Sequence, residues 1–427
     1  MEQSKYIKAS VLGKVIIKRK AIEYLGHTLR SDGMLDLLRK KISEKEVTDA
    51  DFKRFVEAKE NIKKEKFILL CEFFKEDWRE IYTPNALEFE SKFFGRKQEL
   101  KELQKQITNT NCQLFILYGL EGIGKKSLAG QLVKKIERAS DTSRKFKVLV
   151  NLSFSYDFPL DVLLIKLLRE IDSPNSYDNS NIDDLKDKLF LCLQNENYLI
   201  ILKQVADNGN NENPKEYEKF FGELINPHNH KFHNSCILLI THKKPHEVTG
   251  VAGVPGSAQS LKLEGLKEQP ALDFLEYLNP NLLVDRNAAE ELVKRYDGYP
   301  LALKLINSEI VKYYSGSVRI FLDKSKGEEN LLVPHKIKQL ILKLTVDLDL
   351  ACLEILKILI DSEPISQWHI EKEFLKNGVF SNRDFTRAIG DLDRRALLTQ
   401  YKNDRDYLYG VGKLTREVIR DVVNAKL

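Results

Sequence analysis

Apolar and polar positions fall into three regimes along the chain. Up to about residue 84 apolar residues recur at helix spacing, as in Lys14-Val-Ile-Ile-Lys-Arg-Lys20 and Phe67-Ile-Leu-Leu-Cys-Glu-Phe-Phe74, without strand-like alternation. Between about Asn85 and Pro245, short Ile/Leu/Val-rich runs alternate with amphipathic stretches. Four of these runs, Gln113–Tyr118, Val148–Leu152, Tyr198–Leu202 and Cys236–Ile240, read as strands, each followed by a loop and a helical pattern. Near-continuous apolar strands separated by helices predict an α/β fold, a parallel sheet with helices on both faces. Gly250–Ser257 is a Gly/Ala/Pro-rich connection, and beyond it the pattern is largely helical, with a turn-rich stretch near Asn403–Gly412. The expected domains are therefore an all-α module at 1–84, an α/β domain at 85–248, a helical subdomain at 249–332 and a further domain at 333–427. No internal repeat of solenoid or propeller length is visible.

Composition narrows the class. Of 427 residues 42% are apolar and 31% charged, the balance of a soluble globular chain rather than a disordered or fibrous one. No run approaches the ~18 apolar residues of a membrane-spanning helix, so no membrane partner is expected. The start, Met1-Glu-Gln-Ser-Lys5, lacks the basic and apolar regions of a secretory signal. Five scattered cysteines without a CxxC pair read as buried thiols in a reducing compartment, so a cytoplasmic location is expected. The net charge is +5, and residues 1–80 hold 19 Lys+Arg against 15 Asp+Glu, so most of the excess lies there. That asymmetry fits either an anionic partner or a solvated helical surface.

One segment carries chemistry. Tyr118 is followed by Gly119-Leu-Glu-Gly-Ile-Gly-Lys-Lys-Ser127 and then an amphipathic stretch. Strand, Gly-rich turn and helix in that order fit a phosphate-binding loop, with Gly119, Gly122 and Gly124 letting main-chain amides wrap a phosphate and Lys125 reaching its terminal oxygens. Two positions depart from the pattern. A Ser or Thr hydroxyl normally follows the lysine to hold Mg²⁺, but here Lys126 does, and Ser127 comes one residue later. The strand at Tyr198–Leu202 runs into Lys203-Gln204 where an acidic metal-holding residue is normal, and Asp207 lies three residues beyond Gln204. An ammonium group cannot ligate a metal. The expectation is a pocket that binds nucleotide without Mg²⁺, Lys126 or Lys203 supplying part of the ion's charge, with weak or absent hydrolysis. A vestigial, empty pocket and a working ATPase that uses Ser127 remain the alternatives.

The series of motifs resembles the NB-ARC family of STAND-type signalling NTPases. It begins at Phe93-Phe-Gly-Arg-Lys-Gln-Glu-Leu100, continues through the phosphate loop and Lys203-Gln204, and passes to Ser235-Cys-Ile-Leu-Leu-Ile-Thr-His-Lys-Lys-Pro245, which looks like the family's sensor-1 strand. Ser260-Leu-Lys-Leu-Glu-Gly-Leu266 and Tyr296-Asp-Gly-Tyr-Pro-Leu-Ala-Leu303 follow. The resemblance implies that Gly95 and Arg96 lie near the adenine and ribose of bound ADP or ATP, that Lys243 stands in for the family's sensor arginine, and that Pro300 packs against the base. It also implies a winged helix from about Val333, with Asp391-Leu-Asp-Arg-Arg-Ala-Leu-Leu398 as its nearest match, although the family's diphosphate-sensing His-Asp pair is not visible near Leu408–Val418. Thr48-Asp-Ala-Asp-Phe-Lys-Arg-Phe55 and Asp77-Trp-Arg-Glu-Ile81 look like the end of a helix-turn-helix module of bacterial members, which would set Lys53 and Arg54 against DNA phosphates. A protein-docking helical module is the equal alternative there.

The function implied is an adenine-nucleotide-responsive switch that gates domain rearrangement or oligomerisation, its partners being the nucleotide and itself or other signalling proteins. A DNA-binding regulator with the nucleotide domain as scaffold is the second reading. The family's usual C-terminal repeats are not seen, so the sensor is expected on another protein or the chain is a shortened paralogue. Other signals point to structure. His228-Asn-His-Lys-Phe-His233 reads as a solvated loop rather than a metal site, Asp183-Asp184 and Glu290-Glu291 as surface charge, and Tyr313, Tyr314 and Trp368 as packing residues.

Overall fold

The computed structural model describes residues 6–7, 62–63 and 92–426, apart from short stretches at 110–111, 139–145, 147, 157, 173–180, 205–213, 226–232, 247–257, 281–284, 326–331 and 403–406. The expected helix-turn-helix-like module and its Lys53 and Arg54 lie outside the described residues. In the N-terminal unit two short strands, β1 (Tyr6–Ile7) and β2 (Ile62–Lys63), pair antiparallel.

From residue 92 the chain builds a five-stranded parallel sheet in the order β4-β5-β6-β3-β7. Its strands are β3 (Leu114–Tyr118), β4 (Val148–Phe154), β5 (Tyr198–Gln204), β6 (Cys236–Thr241) and β7 (Ala258–Lys262). Every residue of β3 and β6 is buried, which is why the central strands read as unbroken apolar runs. Helices α1 (Lys97–Asn109), α2 (Lys125–Arg138), α3 (Leu160–Ile171), α4 (Ile182–Asn195) and α5 (Pro214–Glu223) accompany the sheet. Leu163, Leu164 and Leu167 of α3 and Leu185 and Leu189 of α4 join Ile200 and Leu202 in one core.

The strand predictions need two corrections. β4, β5 and β6 run further than the apolar pattern indicates, so Ser153, Phe154, Lys203, Gln204 and Thr241 are strand residues, while β3 begins one residue later than expected, at Leu114. β7 was not legible at all: Ala-Gln-Ser-Leu-Lys has no apolar run, because an edge strand pairs on one side only and is half-buried or exposed throughout.

Four helices follow: α6 (Glu268–Leu278), α7 (Arg286–Arg295), α8 (Pro300–Tyr313) and α9 (Val318–Lys324). α6 packs on α7 and α8, and α7 on α9. Pro300 sits at the first position of α8, where its missing N–H costs no helix hydrogen bond. Asp285 caps α7 by accepting Ala288 N–H at 2.9 Å and pairs with Arg319 of α9 at 2.7 Å.

The C-terminal part runs α10 (His335–Leu342), α11 (Leu350–Ile360), β8 (Ile365–Ser366), α12 (Gln367–Leu375), α13 (Asn382–Arg394), β9 (Thr399–Lys402), β10 (Tyr407–Gly410) and α14 (Lys413–Lys426). Its three strands form an antiparallel sheet in the order β8-β10-β9. A reciprocal Ser381–Asp384 capping box opens α13, and α11 packs against α12, α13 and α14.

Three side-chain expectations change. Tyr314 packs edge-on against Phe321, but Tyr313 is 64% and Trp368 60% exposed, each with a lysine over its ring. His233 is not in a solvated loop: it is buried beside Phe190, and its carbonyl accepts from Gln113 Nε2 at 3.2 Å. His228 and His230 lie outside the described residues, among which no cluster of three or more His, Cys, Asp or Glu could hold a metal ion. Among the described residues no helix is long and apolar enough to cross a membrane.

Candidate functional site

The run between β3 and α2 has the backbone of a phosphate cradle. Gly119, Gly122 and Gly124 have φ of +141°, +79° and +105°, conformations that strain any residue with a Cβ. A Cβ on Gly119 would lie 2.7 Å from Leu263 O and one on Gly122 2.6 Å from Leu301 Cβ, so both are also demanded by close neighbours. A Cβ on Gly124 would meet nothing within 4 Å. Gly124 is thus required by its backbone alone, and the space in front of it is open, as an approaching phosphate needs.

Lys125 opens α2 and folds back on the loop. Its Nζ donates to Gly119 O at 2.7 Å and Leu120 O at 2.8 Å. Burial lowers its pKa to about 7; Glu121 opposes the shift and Lys126 adds to it. Lys126 is exposed and Ser127 half-buried. Arg96, at φ +60°, is buried: Nη2 donates to Ile123 O at 3.2 Å and to Glu264 O, while Nη1 pairs with Glu99 at 3.1 Å. Gly95, at φ +62°, abuts Pro270 of α6, where a Cβ would come within 2.7 Å. The Gly95-Arg96 turn therefore ties α6 to the phosphate loop.

The carboxyl ends of β5 and β6 bring further cations to the loop. β6 pairs with β3 up to Thr241 against Tyr118, so His242 and Lys243 emerge beside the point where the loop begins. Gln204 occupies the end of β5, and its Oε1 accepts from the Thr241 hydroxyl and from His242 N–H at 3.3 Å. That carbonyl is engaged by the neighbouring strand. Burial lowers Lys203 to about 8, helped by Lys126. Lys243 also falls to about 8, through burial first and then Arg395 and Arg394, with Asp347 and Asp391 opposing. His242 falls to about 3, again by burial first, then through Lys125, Lys126, Lys343 and Lys243. A half-buried group of like charges this poorly compensated attracts an anion.

Two later parts of the chain touch this region. Tyr299 donates its hydroxyl to Glu121 O, and Leu301 covers Gly122, so the start of α8 rests on the loop. The turn before α8 is locked in turn, since Leu266 N donates to Gly298 O at 2.8 Å and a Cβ on Gly298 would strike Leu266 O at 2.1 Å. From the C-terminal part, the end of α13 meets the sheet. Lys244 N donates to Arg394 O at 2.9 Å, Arg394 Nη1 to Lys244 O at 3.2 Å, and Tyr118 Oη to Asp393 at 3.4 Å. Lys262 donates to Leu398 O.

Of the residues singled out in the sequence, Gly119, Gly122, Gly124, Lys125, Lys126 and Ser127 form one loop and helix start, with Arg96 bound to that loop and Lys243 at the end of the strand beside it. Pro300 lies between the two residues that touch the loop, Tyr299 and Leu301. Sequence reasoning missed Tyr299, Leu301, His242 and Lys343. Tyr299 and Leu301 flank Pro300 inside the motif already quoted, and His242 adjoins Lys243; Lys343 carried no signal.

A strand, a left-handed glycine loop, a helix with Lys125 at its start and a parallel sheet define the class: an α/β P-loop nucleotide-binding fold. Residues 96–279 match the family described as the NB-ARC domain, and this segment is an NB-ARC nucleotide-binding domain. An uncharacterized WD repeat-containing protein of Nostoc sp. is 24% identical over 389 residues, covering 82% of this chain. The chain spans only 30% of that relative's length. Among solved structures, a Walker-type ATPase of Pyrococcus abyssi is 15% identical with a TM-score of 0.48, covering 77% of this chain and 96% of its own. The ORC2 protein of Aeropyrum pernix, solved as ADPNP and ADP complexes, is 15% identical with a TM-score of 0.45, covering 81% and 98%. Both likenesses fall below a TM-score of 0.5 and add nothing to what the loop itself establishes.

Proposed function

We propose that the chain is an adenine-nucleotide-responsive switch. ADP or ATP is gripped by the amides of Gly119–Ser127 and by Lys125, which exchanges its bonds to Gly119 O and Leu120 O for phosphate oxygens. The open space before Gly124 supports the fit. Mg²⁺ does not fit: Lys126 and Lys203 stand at the two metal-handling positions, and the Gln204 oxygen is taken by Thr241 and His242. Nucleotide is therefore held without a divalent ion and turned over weakly or not at all.

The observation that carries the switch is the seating of α8 on the loop, through Tyr299 on Glu121 and Leu301 on Gly122. A phosphate that reshapes the loop changes this contact, and α8 shifts only as far as the nucleotide's affinity differs between the two arrangements. The helical subdomain expected at 249–332 is narrowed to the helices from Glu268 onward, since β7 joins the α/β sheet, and 333–427 act as a winged helix, whose order of helices and three-stranded antiparallel sheet support that reading. Separation of these parts exposes a surface for assembly with a second copy or another signalling protein.

The test is to denature the purified protein, identify any released nucleotide by chromatography, and record melting with ADP and ATP with and without EDTA. Stabilisation that survives EDTA and is lost in Lys125→Ala supports the proposal. Indifference to both nucleotides overturns it, and Mg²⁺-dependent turnover abolished by Lys125→Ala overturns its metal-free part. The excess of positive charge in residues 1–80 favours a second reading, DNA binding through Lys53 and Arg54. Retention on DNA that falls steeply with salt and weakens in a Lys53→Ala/Arg54→Ala variant would establish it.

A further inference from the structure

His242 is held in place on one side and unanswered on the other. Its backbone N–H is pinned to Gln204 Oε1 at 3.3 Å, which fixes where the ring stands at the carboxyl end of β6. Its Nδ1 is buried and has no hydrogen-bond partner. A buried ring nitrogen without a partner is costly, and such groups are normally satisfied.

The charged groups that face the ring are all cations. Lys125 and Lys126 come from the start of α2, Lys243 is next in the chain, and Lys343 comes from the C-terminal cap of α10. Of the carboxylates near this group, Glu121 acts on Lys125, and Asp347 and Asp391 act on Lys243, with Asp391 also paired to Arg394 and Arg395. Burial and four neighbouring lysines keep the ring neutral. A polyphosphate in the loop reverses the sign of that field. It places several negative charges among the same lysines, favours the imidazolium, and offers oxygens to a nitrogen that has no acceptor.

We propose that His242 is a phosphate-binding residue that contacts the outermost phosphate of the bound nucleotide and takes up a proton from solvent as it does so. The inference rests on the nucleotide reading above and deepens it. Nucleotide binding becomes proton-linked, tighter at lower pH, and more strongly so for a triphosphate than for a diphosphate. Because Lys343 belongs to the C-terminal part, the same phosphate relieves repulsion between that part and the loop.

The experiment is calorimetric titration of the full chain with ADP and ATP in EDTA, near pH 6, in two buffers of different ionisation enthalpy, which counts protons exchanged. At that pH Lys125, at about 7, and Lys203 and Lys243, at about 8, are already charged in the free protein, so their contribution is small. His242→Asn keeps a polar group near the Nδ1 position and cannot titrate. The wild type is expected to take up about half to one proton more than His242→Asn on binding ATP, and the variant to bind ATP about three- to tenfold more weakly. Equal proton uptake by two proteins that both bind overturns the role of His242 and leaves the switch standing. Absence of binding in the wild type overturns both. Should the variant not fold, the wild type alone decides: after correction for the nucleotides' own ionisation, ATP must draw more protons than ADP, and equal values overturn the proposal.

Discussion

Asp297 Oδ2 accepts the backbone N–H of Leu414 at 2.9 Å, so a carboxylate from the turn before α8 caps a helix 117 residues further along the chain. The approach depends on two backbone features. Asp297 is at φ +52°, a conformation that Asp tolerates better than most residues, and a Cβ on Gly412 would lie 3.0 Å from the same oxygen. The contact joins the turn that seats α8 on the phosphate loop to the first turn of α14, linking the helical and C-terminal parts through one hydrogen bond.

Asp297→Ala is therefore expected to cost about 1 kcal/mol, the ordinary worth of a helix cap. Asp297→Asn keeps an acceptor and should cost less. Urea midpoints rank the three proteins, and amide exchange at the start of α14 tests the location. If those amides exchange no faster in Asp297→Ala, the cap is not what holds α14.

Asp391 is the second tie to the C-terminal part. It binds Arg394 at 3.1 Å and Arg395 at 2.7 Å, both buried, and lies 3.7 Å from the exposed His246. Burial alone would raise its pKa, but Arg394 and Arg395 outweigh burial and hold the carboxyl below its ordinary range. A carboxylate depressed in the folded state stabilises it above the unfolded value of about 4, and that stability is lost as pH falls through the folded value. Asp391→Asn should cost about 3 kcal/mol at neutral pH, since it leaves two buried guanidinium groups without their carboxylate. The deficit should begin to shrink below about pH 4 and go on shrinking as pH falls through the depressed folded value, so the melting temperatures of the two proteins are expected to draw together on acidification.

Much of the sheet and the whole phosphate loop were legible because buried parallel strands carry dense apolar runs and a cradle of this kind needs glycine at fixed spacing. β7 was not, since a half-exposed edge strand has no apolar signature. The ends of β5 and β6 were misplaced for a related reason: Lys203, Gln204 and Thr241 are polar residues kept in strand by pairing with their neighbours. The contacts of Tyr299, Asp297 and Lys343 lie further out of reach, because they join segments more than a hundred residues apart or arise from where α10 ends. Trp368 shows the converse limit, since an aromatic residue carries no mark in the sequence of whether it is covered.

Gly122 and Leu301 provide a test of the seating of α8. Gly122→Ala faces two separate penalties, a φ of +79° and a Cβ that would stand 2.6 Å from Leu301. The backbone strain is on the order of 1 kcal/mol. The collision adds to it and pushes α8 off the loop. Adding Leu301→Ala does not remove the Leu301 Cβ, but it clears the Cδ2 and Cγ atoms that lie at 2.6 and 3.1 Å. The double variant should regain part of the stability lost by Gly122→Ala beyond simple addition, a coupling of about 0.5 kcal/mol or more in a double-mutant cycle. Strict additivity would mean that α8 does not rest on the loop in solution.

The pH dependence of the nucleotide-free protein follows from Lys125. Burial lowers its pKa to about 7 in the folded chain, against about 10.4 for a free lysine. Between those values the unfolded chain binds more protons than the folded one, so folding stability rises with pH across that window. Below about pH 7 both states carry the proton and the folded state bears the full cost of burying it. Lys203 and Lys243, at about 8, add slope of the same sign over a narrower range. Lys125→Met removes one of the two largest contributions, the other being Lys166, which burial also lowers to about 7 and which remains in both proteins. It should stabilise the free protein by about 1 to 2 kcal/mol near pH 7 and flatten the rise toward pH 10, even though two carbonyls lose their donor. Saturating ADP acts on the wild type alone: phosphate restores the lysine's proton, so the bound protein should show a shallower slope than the free one, while the variant shows no change. Melting curves across pH 6 to 10, with and without ADP, read all four cases. A slope that is the same in wild type and Lys125→Met would place the ammonium in water rather than among the carbonyls of its own loop.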